Sequence, residues 1–212
     1  TRSAADLDDV TLSFGAGGSV FLDEEFADVG NGSGVEQIQF GDGAVWTKAD
    51  LRSAYLAANQ TSGNDSVTGF STADSLAGGA GSDTISGLDG TDTIVGGAGN
   101  DRLTGGSSAD RFVFTAASDA TVSATPEIIT DFSQGSDKID LTGIDANVIT
   151  SGDQAFAWIG TAAFSNVAGQ LRYATTPSGS RTIWGDVDGD GVADFQLQVT
   201  GSITFQASDF LL

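Results

Sequence analysis

Apolar positions along this chain keep three different rhythms. In the centre a large apolar residue returns every ninth position: Val67, Leu76, Ile85, Ile94, Leu103 and Phe112. Nine is neither a helical nor a simple strand period. It fits a tripeptide strand with one inward side chain, followed by a six-residue turn. Two such units make a coil of 18 residues, which places Val67, Ile85 and Leu103 in one sheet and Leu76, Ile94 and Phe112 in a second. Before the repeat, residues 10–14 and 19–22 alternate as strands do, and Val35–Phe40 reads as a strand that Gly41-Asp42-Gly43 turns back into Ala44-Val45-Trp46. Thr47 is placed to cap a helix running from Lys48 to Leu56. After the repeat, short β patterns recur at 128–129, 138–141, 154–159, 169–174, 182–184, 195–199 and 203–205. These predict a sandwich or an extension of the central coil. The expected fold class is therefore all-β: a parallel β-roll at 60–113, an N-terminal cap of strands plus one helix at 1–59, and a C-terminal β-rich, sandwich-like region at 114–212.

The turns carry the second pattern. Divided from Gln60, the repeat reads QTSGNDSVT, GFSTADSLA, GGAGSDTIS, GLDGTDTIV, GGAGNDRLT and GGSSADRFV. Position 6 is Asp in all six units: Asp65, Asp74, Asp83, Asp92, Asp101 and Asp110. Glycine at the early positions supplies the left-handed backbone that a tight turn requires. With 18 residues per coil, Asp65, Asp83 and Asp101 stack on one edge, and Asp74, Asp92 and Asp110 on the other. Such columns repel unless a cation lies between successive turns, and Ca²⁺ held by carboxylate and backbone oxygens meets that need. Phe70 and Leu88 replace glycine at position 2, and Thr72 and Ser108 replace it at position 4. The second edge is expected to bind more weakly or with fewer ions.

Composition narrows the chemistry. Acids outnumber bases 29 to 8 in 212 residues, a net charge of −21, and 25 of the acids are Asp. That balance argues against nucleic acid and anionic membrane as partners. There is no His and no Cys, which excludes His-based zinc protease motifs, Ser-His-Asp and Cys-His nucleophiles, thiol redox chemistry and disulfides. No apolar run reaches the length of a membrane-spanning helix. With 39% hydrophobic residues the chain is rich enough to bury a core. Thr1 in place of an initiator Met is expected of a piece of a longer protein.

Two further acidic clusters follow the repeat. Asp186, Asp188, Asp190 and Asp194 have the spacing of the first nine positions of an EF-hand-type loop, with Leu197 where a bidentate Glu normally closes it. A cation loop and a polar hairpin turn are both open readings. Asp131, Asp137 and Asp140 form a looser group around Gln134-Gly135-Ser136, for which metal binding and turn or capping roles compete.

The full motif G-G-x-G-x-D-x-U-x, present in GGAGSDTIS and GGAGNDRLT, resembles the haemolysin-type repeats of RTX proteins. Residues 110–114, 129–145, 164–173, 185–195 and 207–212 resemble the C-terminal domain of serralysin-type metalloproteases, and residues 35–51 resemble a segment that precedes such repeats. The resemblance implies a parallel β-roll with several Ca²⁺ ions between coils. It nominates Asp83 with the carbonyls of Gly79 and Gly81, and Asp101 with those of Gly97 and Gly99. On the facing side it nominates Gly78, Ala80 and Ser82, and Gly96, Ala98 and Asn100. Ala73 and Ala109 lack a side-chain ligand at position 5. Asp209-Phe210-Leu211-Leu212 resembles the uncleaved signal read by a type I secretion apparatus. The protease domain has no counterpart here.

The resemblance therefore implies a secreted, extracellular, non-enzymatic module that is open at low calcium and folds on calcium outside the cell, supporting export and folding of an upstream domain. Two alternatives stay open. One is a calcium-dependent polysaccharide-binding module, as beside alginate epimerases or lyases, with Trp46, Trp158, Tyr173, Trp184, Arg172 and Arg181 as candidate contacts. The overall charge counts against an anionic glycan unless calcium bridges it. The other is a surface-layer or adhesin fragment.

Overall fold

The computed structural model describes residues 10–14, 18–22, 37–39 and 44–212. The chain divides into two units, residues 1–58 and 59–212. In the first, β1 (Val10–Phe14) pairs antiparallel with β2 (Gly18–Leu22), and β3 (Gln37–Gln39) pairs antiparallel with β4 (Val45–Thr47), Ile38 opposite Trp46. The expected turn at Gly41–Gly43 lies outside the described residues. Helix α1 (Lys48–Ala58) follows directly. Its start is a reciprocal cap: Asp50 N–H donates to Thr47 Oγ1 (3.3 Å), and Asp50 Oδ2 accepts from Thr47 N–H (2.8 Å).

The second unit is the roll. Its repeat strands are β5 (Ser66–Thr68), β6 (Ser75–Ala80), β7 (Thr84–Asp89), β8 (Thr93–Ala98), β9 (Arg102–Ser107) and β10 (Arg111–Val113). Beyond them come β11 (Glu127–Ile129), β12 (Lys138–Asp140), β13 (Ala157–Trp158), β14 (Gln170–Thr175), β15 (Arg181–Asp186), β16 (Phe195–Val199) and β17 (Phe210–Leu211). They form a five-stranded sheet ordered β17-β12-β10-β8-β6 and an eight-stranded sheet ordered β13-β14-β15-β16-β11-β9-β7-β5. The 18-residue phase appears as parallel registers, Val67 beside Ile85 and Leu103, Leu76 beside Ile94 and Phe112. All six side chains are at most 1% exposed and fill the space between the sheets.

The region after the repeat continues these two sheets. Ile129 extends the row from Leu103, while Ile139 and then Phe210 extend the row from Phe112. Within these two sheets only β15 is reversed, antiparallel to β14 and β16 on either side, while β13 pairs parallel with β14. The far end is closed by aromatic rings. Phe205 lies 5.4 Å from Phe132 and 5.5 Å from Phe210, and Trp158 lies 5.7 Å from Tyr173 in parallel planes. Residues 203–205, expected as a strand, form no ladder; Phe205 is instead buried in this ring cluster. Among the described residues no helix is long and apolar enough to cross a membrane.

Strands β6 to β9 are six residues long, twice the expected three, because backbone pairing runs on through the glycines: Gly79 opposite Gly97, Leu88 opposite Gly106. Strand alternation then turns position 1 inward, so Gly78, Gly87, Gly96 and Gly105 are buried. A Cβ on Gly78 would stand 2.6 Å from Gly96 O and overlap the Asp83 carboxylate. Leu88 and Ser108 hold positive φ angles of 76° and 90°, which an L side chain resists. Left-handed backbone costs about 1–2 kcal/mol, against roughly 0.5–1 kcal/mol for the extra chain entropy of glycine. Leu88→Gly, at a 45%-exposed position, is therefore expected to stabilise the calcium-loaded protein by up to about 1 kcal/mol. An unchanged or lower denaturant midpoint would count against strain at this turn.

Candidate metal centre

Each turn presents its Asp to the coil beside it. The N–H of Asp65 donates to Asp83 Oδ1 (2.8 Å), and that of Asp83 to Asp101 Oδ1 (2.8 Å). On the other edge Asp74 N–H donates to Asp92 Oδ1 (2.9 Å), and Asp92 N–H to Asp110 Oδ1 (2.9 Å). Both columns run past the repeat. Asp101 N–H donates to Glu127 Oε1 (2.9 Å) and Asp110 N–H to Asp137 Oδ1 (3.0 Å). Glu127 thus holds a column place that the sequence reading missed. It stands 26 residues from Asp101 instead of 18. Its signal was the apolar strand Glu127-Ile128-Ile129, with the acid two residues before the inward Ile129.

One oxygen of each inner carboxylate is left over. Asp83 Oδ2, Asp92 Oδ2, Asp101 Oδ2, Asp110 Oδ2 and Glu127 Oε2 are buried and accept no hydrogen bond. These five residues are 0–2% exposed. At the first coil the second oxygen is satisfied locally: Asp65 Oδ2 by Thr61 N–H (2.7 Å) and Asp74 Oδ2 by Phe70 N–H (2.6 Å). Asp137 Oδ2 is likewise taken by Ser133 N–H (2.7 Å). A buried, unpaired carboxylate oxygen is costly, so five in two stacks demand a counter-charge. At strand spacing two neighbouring carboxylates repel by roughly 3 kcal/mol for an effective dielectric of about 20.

The glycines bring main-chain oxygens to the same places. Beside Gly78 lie Asp83 Oδ2 and Gly96 O, and beside Gly87 lie Asp92 Oδ2 and Gly105 O. The carbonyls of Gly79 and Gly81 point at Gly97 and Gly99 of the next coil. The donor set is all oxygen, carboxylate plus carbonyl, with no nitrogen or sulfur ligand. That chemistry fits a hard cation such as Ca²⁺. Position 5 side chains are partly committed: Asn64 Oδ1 accepts from Ser82 N–H (2.8 Å), and Asn100 Nδ2 donates to Thr125 O. Asp92 and Asp110 keep free oxygens as Asp83 and Asp101 do, but the first edge ends on Glu127, whose second oxygen is free, and the second on Asp137, whose second oxygen is taken.

The other two acidic clusters differ. Asp186, Asp188 and Asp194 bring ligand oxygens within 4.8 Å of one another, at the hairpin joining β15 to β16. Both Asp186 oxygens already accept backbone N–H groups, from Gly189 (2.6 Å) and Gly191 (3.0 Å). Asp190 stands outside this group, with Oδ1 taken by Val192 N–H (2.7 Å). Asp131, Asp137 and Asp140 are not gathered together. Asp131 caps Gly105 and Gly106 N–H (2.9 and 2.8 Å), Asp137 closes a column, and Asp140 pairs with Arg111 and Thr142. Burial would raise the Asp140 carboxyl, but the bonds from Thr142 and Arg111 outweigh it and lower it.

A parallel β-roll whose stacked turns hold buried carboxylates with free oxygens defines a calcium-binding repeat module. The family described as Peptidase M10 serralysin C terminal matches residues 29–212, and the chain belongs to that family. Among solved structures the chain is similar to the AlgE6R3 subunit of the mannuronan C5-epimerase of Azotobacter vinelandii, with TM-score 0.52 and 23% identity over 70% of this chain and 78% of that one. It is also similar to the AlgE6R2 subunit, with TM-score 0.48 and 22% identity over 72% and 92%. The first likeness shows a shared fold. No curated protein sequence matches the chain.

Burial pushes the carboxyls of Asp92 and Asp101 up to about 6 and that of Glu127 up to about 8, against the backbone N–H that each accepts, and neighbouring carboxylates add to the rise. Asp110 and Asp137 are raised from the same first cause. An acid with a raised folded pKa favours folding while it is protonated, and that contribution is lost as pH climbs through the folded value. Calcium-stripped protein is therefore expected to gain β structure and a melting transition only as it is acidified toward the ordinary carboxylate range, and to be open by pH 8, at or above the raised values of Asp92, Asp101 and Glu127. With saturating calcium the dependence should reverse, because ions displace protons. Melting curves by circular dichroism at three pH values, with and without calcium, check both signs.

Proposed function

We propose that this module is open at low calcium and coils when calcium binds outside the cell, serving export and folding of an upstream domain in a protein secreted by a type I apparatus. The observation that carries this reading is the set of five buried carboxylate oxygens without partners. They make the coiled state unfavourable in a calcium-poor cytosol, where charge repulsion and glycine entropy keep the chain extended. Millimolar extracellular calcium suits modules with dissociation constants of about 10⁻⁴–10⁻³ M. Ions that bind only the coiled form stabilise it by mass action.

The ligands in this reading are the inner Asp side chains with carbonyls of Gly79, Gly81, Gly97 and Gly99 on one side and Gly78, Ala80, Gly96 and Ala98 on the other. Glu127 extends the set beyond the repeat. Position 5 contributes Ser82 and Asn100, and Asp186, Asp188 and Asp194 form a separate candidate at the β15–β16 hairpin. The module performs no chemistry itself; its work is conformational. The C-terminal Phe210-Leu211, read as part of the export signal, forms the edge strand β17, held by Leu141 N–H donating to Leu211 O (2.9 Å). In the open chain it is free to be read.

Far-UV circular dichroism during a calcium titration of stripped protein tests the reading, with magnesium as control. A cooperative coil-to-β transition near millimolar calcium, absent with magnesium, is expected. Asp101→Ala should raise the calcium midpoint by roughly tenfold, equivalent to about 1.4 kcal/mol. Glu127→Ala should raise it as well, though Glu127 lies outside the nonapeptides. A spectrum already β-rich in chelator and indifferent to calcium would overturn the proposal.

A further inference from the structure

Past the metal columns, the end of the five-stranded sheet holds a cavity that the calcium chemistry does not use. After β12 the chain passes through Leu141 and Ile144, both buried, into a loop at 145–154. That loop is pinned at its base. Ala146 N–H donates to Gln154 O (3.0 Å), and Asn147 and Gln154 N–H both donate to Asp145 Oδ1 (3.0 and 3.3 Å). Further along, Val148 N–H donates to Val187 O (3.1 Å). The cavity beside the loop measures about 220 Å³. Leu141, Ile144, Ala155 and Leu212 give it an apolar lining, and Asp153 and Gln154 bring polar groups to it.

Both polar groups lack a partner. Gln154 Oε1 is buried and accepts no hydrogen bond, although the Nε2 of the same amide donates to Ser151 O. The Asp153 carboxylate is exposed, with no hydrogen bond and no base beside it. Thr142 also lines the cavity, but its Oγ1 is committed to Asp140 Oδ1 (2.7 Å). Residues 139–171 contain three acids, Asp140, Asp145 and Asp153, and no base. Asp140 is paired with Arg111, and Asp145 is engaged within its own loop. Asp153 is therefore the uncompensated charge here. A buried acceptor left empty is costly, so the cavity calls for a ligand that brings hydrogen-bond donors and positive charge.

We propose that this cavity takes a lysine side chain of a polypeptide partner. Its volume is below the roughly 300–1,000 Å³ of a site for a drug-sized ligand and suits one long side chain. The aliphatic stem lies along Leu141, Ile144 and Leu212, and the ammonium donates to Asp153 and Gln154 Oε1. A guanidinium brings five donors where two groups wait to accept. A calcium ion needs about six to eight oxygens, more than this lining supplies. A free alkylamine would fill the cavity but leave the rest of the loop bare, where Val148 and Ile149 are exposed, Ile149 by 72%. Apolar residues beside the lysine cover such positions, as the surroundings of a pocketed anchor do in protein interfaces. The pinned loop keeps the site formed before the partner arrives, which lowers the entropy lost on binding.

Nuclear magnetic resonance titrations of the ¹⁵N-labelled full chain in saturating calcium test this with three probes: the blocked tripeptide acetyl-Leu-Lys-Leu-amide, the same peptide with norleucine for lysine, and n-butylamine. The lysine peptide is expected to shift the signals of Ile144, Asp153, Ala155 and Leu212 and the side-chain amide of Gln154. The norleucine peptide should bind about fivefold more weakly or less, and Asp153→Asn should weaken the lysine peptide by a similar factor. Ala155→Phe, at the cavity wall, should abolish binding. Asp89→Asn removes an equal charge from an exposed position in the repeat and should leave binding unchanged. Circular dichroism in calcium verifies that each variant is coiled. No binding of the lysine peptide, shifts confined to other surfaces, equal binding of the norleucine peptide or of butylamine, or equal losses in Asp153→Asn and Asp89→Asn would overturn the proposal.

Discussion

The structure depends on a hydrogen bond that satisfies half of a carboxylate. In each column the N–H of one turn binds one oxygen of the acid in the next coil, and the second oxygen stays buried with nothing to accept. That bond sets the register of the turns as surely as the inward apolar residues set that of the strands. It also brings like charges to strand spacing in a dry environment. The fold therefore contains its own opposition, and an ion or a proton on the free oxygen resolves it. Six-residue strands, inward glycines and positive φ angles all follow from bringing peptide groups close enough for carbonyls to share that place.

Where the period is unbroken, sequence and structure agree residue by residue. Val67, Ile85 and Leu103 form one row and Leu76, Ile94 and Phe112 the other, as a coil of 18 requires. Thr47 caps its helix, and the hairpin of β3 and β4 pairs as alternation predicts. The period misleads where backbone geometry, not side-chain type, decides. Gly-Gly read as turn is strand, because a paired neighbour supplies hydrogen bonds that propensity does not count.

Past residue 113 the spacing stretches to 26 and 27 residues, and the columns become invisible to a nine-residue ruler although Glu127 and Asp137 continue them. The acids at 131, 137 and 140 are near in sequence and look like one site. Strand alternation and the coil send each to a different partner, a glycine pair, a column and an arginine. Ile203-Thr204-Phe205 has the composition of a strand, yet its ring is worth more in the aromatic cluster than its backbone in a ladder.

The two ends of the roll are finished differently. At the start Asp65 and Asp74 close on their own turns, and at the far side a stack of rings fills the mouth. Neither terminus uses the device that the middle repeats. The interior is thus a modular spacer between two fixed fittings, and whole coils of 18 residues are its unit of change. Inserting or deleting one alters length and ionic capacity in discrete steps while both fittings stay as they are. Copy number, more than the tuning of any single turn, becomes the dial by which such a module is matched to the salt of its surroundings.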